Sequence, residues 1–131
     1  MTSTRDIFPI QVFNSLILAA NDSAIGPLKA DGTEGYVDLG DYTNVGEFGC
    51  GVSLSGSGRI DVEYLLSYKP PEFVSPTGSL KIFSDFSSTS GSSSNGQDII
   101  EFTPEVARFL QLKVSETSGN DCIVSLWLGI L

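Results

Sequence analysis

The side chains of this sequence that could do chemistry are mostly carboxylates, and several fall in pairs. Asp61 and Glu63 stand two residues apart, as one face of a strand would place them, and Glu34 and Asp38 would share a face if that segment is extended. Two acids across a sugar cleft, one with a raised pKa, are what glycoside hydrolysis needs. Nothing further separates these pairs from the sixteen Asp and Glu of the chain, and antiparallel sheets readily expose one polar face. The solvated sheet face is therefore the preferred reading. Asp31-Gly32-Thr33-Glu34 and Asp38-Leu39-Gly40-Asp41 offer oxygens that would suit calcium. Calcium takes roughly six to eight converging oxygens, however, and the EF-hand spacing is absent. Asp31-Gly32 also marks an ordinary turn.

The remaining candidates exclude more than they assign. The chain has no His, which removes His-based triads, imidazole metal ligands and the usual proton shuttle near neutral pH. Gly49-Cys50-Gly51 and Gly56-Ser57-Gly58 lack the Gly-Lys-Ser/Thr of a phosphate-binding loop, and a Cys or Ser nucleophile here would lack its usual base. The first motif reads as close sheet packing and the second as a hairpin turn. Cys50 and Cys122 lie on apolar, strand-like faces and read as small buried thiols, with a disulfide left open for an oxidising compartment. No catalytic residue, cofactor or metal is expected. Trp127, Tyr36, Tyr42, Tyr64 and Tyr68 could stack on sugar rings. Tyr64 and Tyr68 share the apolar face of their strand and are assigned to the core. Trp127 lies opposite the predicted core face and is assigned to an interface, where aromatic residues are enriched.

These residues are carried by a period-two pattern. Phe48, Cys50, Val52 and Leu54 alternate with Gly and Ser; after Gly56-Ser57-Gly58 the alternation resumes with Ile60, Val62, Tyr64, Leu66 and Tyr68. Two such runs about a short turn predict a β-hairpin with one buried face. Arg108, Leu110, Leu112, Val114 and Glu116 repeat the pattern before a turn at 117–121, and Cys122, Val124, Leu126, Leu128 and Ile130 complete it. Shorter strands are expected over 8–13, 15–20, 35–39, 80–86 and 99–103. A helical start at 102–107, with Thr103 as cap and Pro104 at the first position, supports at most one turn. Polar segments at 21–35, 69–78 and 87–97 read as loops. The last, SSTSGSSSNGQ, is a flexible excursion or an exposed contact loop. With nineteen Ser, eight Thr and fourteen Gly among 131 residues, these signals predict a single all-β domain over 1–131. The expected fold is an antiparallel β-sandwich, jelly-roll-like, with eight or nine short strands.

Seven basic against sixteen acidic residues give a net charge of −9, and no basic stripe is present. Nucleic acid and anionic membrane are therefore not expected partners. No segment reaches the roughly 18 apolar residues of a membrane helix. At the N-terminus Arg5 is followed at once by Asp6, and Pro9, Gln11 and Asn14 interrupt the apolar residues, so a secretory signal is not expected.

The phrase PEVARFLQLKVSETSGNDCIVSLWLGIL, together with GVSLSGSGRIDVEYLLSY, resembles small β-sandwich proteins of tailed-phage virions. The likeness covers 47–131 best; similar phrasing occurs in carbohydrate-binding jelly rolls. The phage resemblance implies a non-enzymatic capsid decoration or cement protein, often trimeric, bound in many copies to the major capsid protein or another virion protein. Its place would be the capsid surface, after synthesis in the host cytoplasm. Tail or head-fibre attachment is the near variant, and a non-catalytic carbohydrate-binding module is the alternative from a different class. Residues Met1, Thr2, Ser3, Thr4, Arg5 and Asp6 form a polar start that would serve as a partner-contact arm, and Trp127 is the candidate interface aromatic.

Overall fold

The alternation of apolar and polar residues becomes ten strands in the computed structural model, which describes residues 7–42 and 46–131. They are β1 (Phe8–Leu18), β2 (Ser23–Gly26), β3 (Val37–Asp38), β4 (Phe48–Gly56), β5 (Ile60–Lys69), β6 (Glu72–Val74), β7 (Phe83–Phe86), β8 (Gln97–Phe102), β9 (Phe109–Glu116) and β10 (Cys122–Ile130). One sheet has the order β1-β10-β4-β8. The other runs β2-β9-β5-β6, with β3 also on β9 and β7 also on β5. All pairings are antiparallel. The alternating residues of β4, β5, β9 and β10 meet between the sheets, where Cys50, Ile60, Val62, Leu110, Leu112, Val114, Val124, Leu126, Leu128 and Ile130 are fully buried.

The topology is that of a jelly roll. Strands β2 and β3 share one edge, along β9, and β6 and β7 share another, along β5, so the chain fills eight strand positions. First pairs with last, second with seventh, third with sixth and fourth with fifth. The two extra strands lie in segments read as loops, β2 in 21–35 and β6 in 69–78. Both sit at sheet edges, where proline-rich and polar sequence is tolerated. Breaking both edges of the six-stranded sheet into short pieces also denies a second chain a long edge to extend. The strands expected at 8–13 and 15–20 are one strand. Its pairing with β10 shifts between Gln11 and Phe13 and again between Phe13 and Leu16, and Ser15 takes a left-handed φ of 50° there.

The expected hairpin at Gly56-Ser57-Gly58 is corrected by the structure. Strand β4 pairs with β10 and β8, whereas β5 belongs to the opposite sheet. The Gly-Ser-Gly turn is a crossover between sheets, and 117–121 is a second, carrying β9 into β10. The period-two signal is the same whether two strands pair edge to edge or face each other across a core. The helical start at 102–107 is also corrected: Thr103 to Ala107 is irregular, and the 3-10 turn is at Leu39–Asp41, capped by the Asp38 carboxylate accepting from Gly40 N–H at 2.9 Å.

Candidate functional site

The outer faces of the two sheets differ in kind. On the six-stranded sheet, charges are neutralised in place: Arg59 pairs with Asp85 at 2.7 Å, Lys81 with Asp61 at 2.7 Å, and Glu63 stands opposite Lys113. The rest of that face is roofed by the segment joining β2 to β3. Gln111 Nε2 donates to the Gly35 carbonyl at 2.8 Å, and Tyr36 packs on Phe109 and Phe73. Most of this outer face is thereby paired or covered, and the exposed apolar side chains of the sheet are Tyr68 at the end of β5 and Val74 on the edge strand β6.

The outer face of the four-stranded sheet carries exposed apolar side chains that no described residue covers. Cross-strand register sets Gln11, Trp127, Gly51 and Ile99 in one row and Pro9, Gly129, Gly49 and Glu101 in the next. Trp127 is 37% exposed and Ile99 79% exposed; Ile7, Ile17 and Ile123 add further exposed apolar surface. Of these, Trp127, Ile99 and Ile7 line a shallow groove of about 890 Å³, bounded on one side by Ser92, Ser93 and Asn95.

The groove floor is made by glycines that the backbone does not require. Gly49, Gly51 and Gly129 have ordinary φ, and a Cβ placed on any of them would meet nothing closer than 3.6 Å. The expectation of close sheet packing at Gly49-Cys50-Gly51 is thereby corrected. The space above Gly51 is walled by Ile99 Cγ1 and Trp127 Cε3, each 3.7 Å from that missing Cβ, and the space above Gly129 by Ile7. Interior strand glycine costs roughly 0.5–1 kcal/mol relative to Ala. The depression is thus present despite a cost to the strands that carry it.

The serine-rich segment 87–97 is a built wall. Gly96 N–H donates to the Ser90 carbonyl at 2.8 Å, and Leu54 N–H donates to the Gly96 carbonyl at 2.8 Å. A side chain at Gly91 would strike the Gln97 carbonyl oxygen at 2.1 Å. Low-complexity sequence concealed this order, because its ties are main-chain bonds closed by glycines of positive φ and local hydroxyl bonds among Ser87, Thr89 and Ser90.

Asp61 is committed to Lys81 and to Asp85 N–H; burial opposes its charged form, but these bonds outweigh burial and hold its carboxyl below the ordinary range. That is the opposite of what a glycosidase acid needs. Asp38 is held by Arg108 at 2.9 Å, and Asp31 closes its own turn by accepting from Thr33 N–H and hydroxyl. Among the described residues no group of three or more Asp, Glu or Cys is placed to hold a metal ion. Cys50 and Cys122 are buried and free, and burial pushes the Cys50 thiol up to about 12. Cys50 faces Leu128 in register, six residues along β10 from Cys122. That separation is about 20 Å, so the disulfide alternative is closed.

Tyr64 is buried, donates to Glu105 Oε1 at 2.6 Å and stacks on Phe102. Tyr68 departs from the core assignment: it is 76% exposed and donates to the Val106 carbonyl, because the inward phase of β5 ends with Leu66 and Ser67 both buried. A second cavity, of about 480 Å³, lies beside Tyr64, Lys81 and Glu105, whose polar atoms are already bonded to one another or to Asp61. Trp127 is exposed at the centre of the open face, where the alternation placed it. The arm at 1–6 lies outside the described residues. No helix among the described residues is long and apolar enough to cross a membrane.

Sequence reasoning missed Glu116. It occupies an inward position on β9, is 4% exposed, and accepts hydrogen bonds from Asn21, Arg59, Ser118, Gly119 and Asn120 N–H groups and from the Ser118 hydroxyl, at 2.6–3.2 Å. The available signal was a carboxylate in phase with Leu110, Leu112 and Val114.

Comparison of the chain with protein-family models, with curated proteins and with solved structures returned no match. Fold and surface together define the class: an antiparallel jelly-roll sandwich whose four-stranded sheet has an outer face, with Trp127 and Ile99 exposed, that no described residue covers.

Proposed function

We propose that the chain is a non-enzymatic structural protein of a tailed-phage virion, a capsid decoration or cement protein that docks through the outer face of its four-stranded sheet. The observation that carries the docking half of this reading is the open groove around Trp127, with Ile7, Ile99 and three glycines on its floor and walls. An exposed apolar patch rimmed by polar groups is the usual mark of a protein contact. The capsid half rests on the resemblance of the strand phrasing. Each copy would bury this face across adjacent subunits of the major capsid protein, and many modest contacts would add through multivalency. Self-association as a trimer, a place on the capsid surface and synthesis in the host cytoplasm belong to the same reading. Attachment of a tail or head fibre would use the same face.

The test is sedimentation of the purified chain with particles of the phage that encodes it. Saturable binding at a fixed number of copies per particle is expected; a chain left wholly in the supernatant contradicts the proposal. One observation favours a second reading: Trp127 shares its groove with Asn95, Gln97 and Glu101, an aromatic beside amides and an acid. A carbohydrate-binding module would use that set for stacking and hydroxyl recognition. Saturable quenching of Trp127 fluorescence by soluble oligosaccharides would favour it over the capsid role.

A further inference from the structure

We infer that the segment seated in this groove is cationic, a stretch of a partner protein in which Lys or Arg flanks a small apolar side chain. The inference rests on the docking reading above and adds the chemistry of the occupant.

The charged residues lining the groove are Glu47, Asp98 and Glu101, and no described Lys or Arg lines it. The described ion pairs, Arg59–Asp85, Lys81–Asp61 and Arg108–Asp38, involve other residues, so these three carboxylates are not neutralised from within the described chain. Asp98 only accepts from the neighbouring Ile99 N–H, at 2.9 Å. The contrast with the six-stranded sheet, where acids are matched in place, makes the groove's charge complementary to a cationic partner.

The same charges argue against a second copy of this face as the occupant. Face-to-face packing would set three carboxylates against three, and like charges brought together at an interface oppose association. The uncharged features agree with a Lys- or Arg-bearing segment. Trp127 offers an indole ring at 37% exposure, the aromatic best suited to lie under a cation. Gly51 puts no side chain into the groove between Ile99 and Trp127, so the apolar walls there stay accessible to a small apolar side chain from outside.

Trp127 is the sole tryptophan, so its fluorescence in the intact chain reports the groove directly. The probes are three end-blocked peptides of alternating sequence, Lys with Val, Ser with Val, and Glu with Val. The Lys-Val peptide is expected to shift Trp127 emission saturably, at least tenfold tighter than Ser-Val, with Glu-Val giving no response. Added salt and the double substitution Glu47→Gln with Glu101→Gln should each remove most of that preference. Equal responses to all three peptides, no response to any, or a Lys-Val preference that survives the double substitution would each overturn the inference. The docking reading fails separately. If particle binding is lost in Trp127→Ala but unchanged in the double variant and in high salt, the docking face stands and its cationic occupant falls.

Discussion

At the scale of single residues, Glu116 has more bonded partners than any other side chain described here. Its carboxylate gathers donors from three crossings between the sheets: Asn21 after β1, Arg59 after β4, and Ser118, Gly119 and Asn120 after β9. Burial works against the charge, but the Asn21, Ser118 and Arg59 donors outweigh it and hold the carboxyl far below its ordinary value of 4.5. A depressed folded pKa contributes stability that is present above the unfolded value and lost as pH falls below about 4.5 towards the folded one. Glu116→Gln should cost about 2–3 kcal/mol at pH 7, since charge-assisted bonds are exchanged for an amide that brings its own donors. Denaturant midpoints of the two proteins should converge as pH is lowered from 6 to 3; a gap that stays constant would contradict the role. Trp127 was legible because alternation separates inward from outward positions. Glu116 was not, because alternation marks the inward position without showing which donors converge on it.

At the scale of elements, two kinds of glycine are distinguishable and predict opposite outcomes. Gly58 lies where the β4–β5 crossover packs on 120–122, and a Cβ there would meet the Asn120 carbonyl oxygen at 2.7 Å and Cys122 Cβ at 2.9 Å. Gly58→Ala should destabilise by about 2 kcal/mol, the ordinary cost of overpacking. Gly51→Ala, on the open face with nothing closer than 3.7 Å, should stabilise by about 0.5 kcal/mol, because strand glycine is entropically costly. Thermal unfolding of the two variants checks both signs, and a destabilised Gly51→Ala would show that the glycine is structural. The strands around these glycines were legible as strands: β4, β5, β9 and β10 carry the inward residues that the pattern assigned, except at Tyr68. Their partners were not. Pairing across a turn and packing across a core leave one signature in the sequence, so the crossovers looked like hairpin turns. The short edge strands β2 and β6 carry too few apolar residues to show a period.

At the scale of the molecule, the charge of −9 is distributed unequally in effect. One sheet pairs Asp61 and Asp85 with cations and covers Phe109 with its own chain; the other has a glycine-floored, acid-lined groove that no described residue fills. The sandwich class was legible from composition and period. The asymmetry of its faces was not, because it depends on which strands become neighbours and on a roof supplied by a segment that reads as an ordinary polar loop. The central claim is that the open face is the contact surface. On the capsid proposal, the direct measurement is sedimentation of phage particles, from the phage proposed to carry the chain, with the wild-type chain, with Trp127→Ala, and with Glu63→Gln as a control on the opposite face. Truncating a buried aromatic anchor typically costs about 2 kcal/mol or more, which corresponds to roughly thirtyfold in affinity. The account predicts a loss of that size for Trp127→Ala and none for Glu63→Gln. Undiminished binding by Trp127→Ala, with or without a loss in Glu63→Gln, would contradict it.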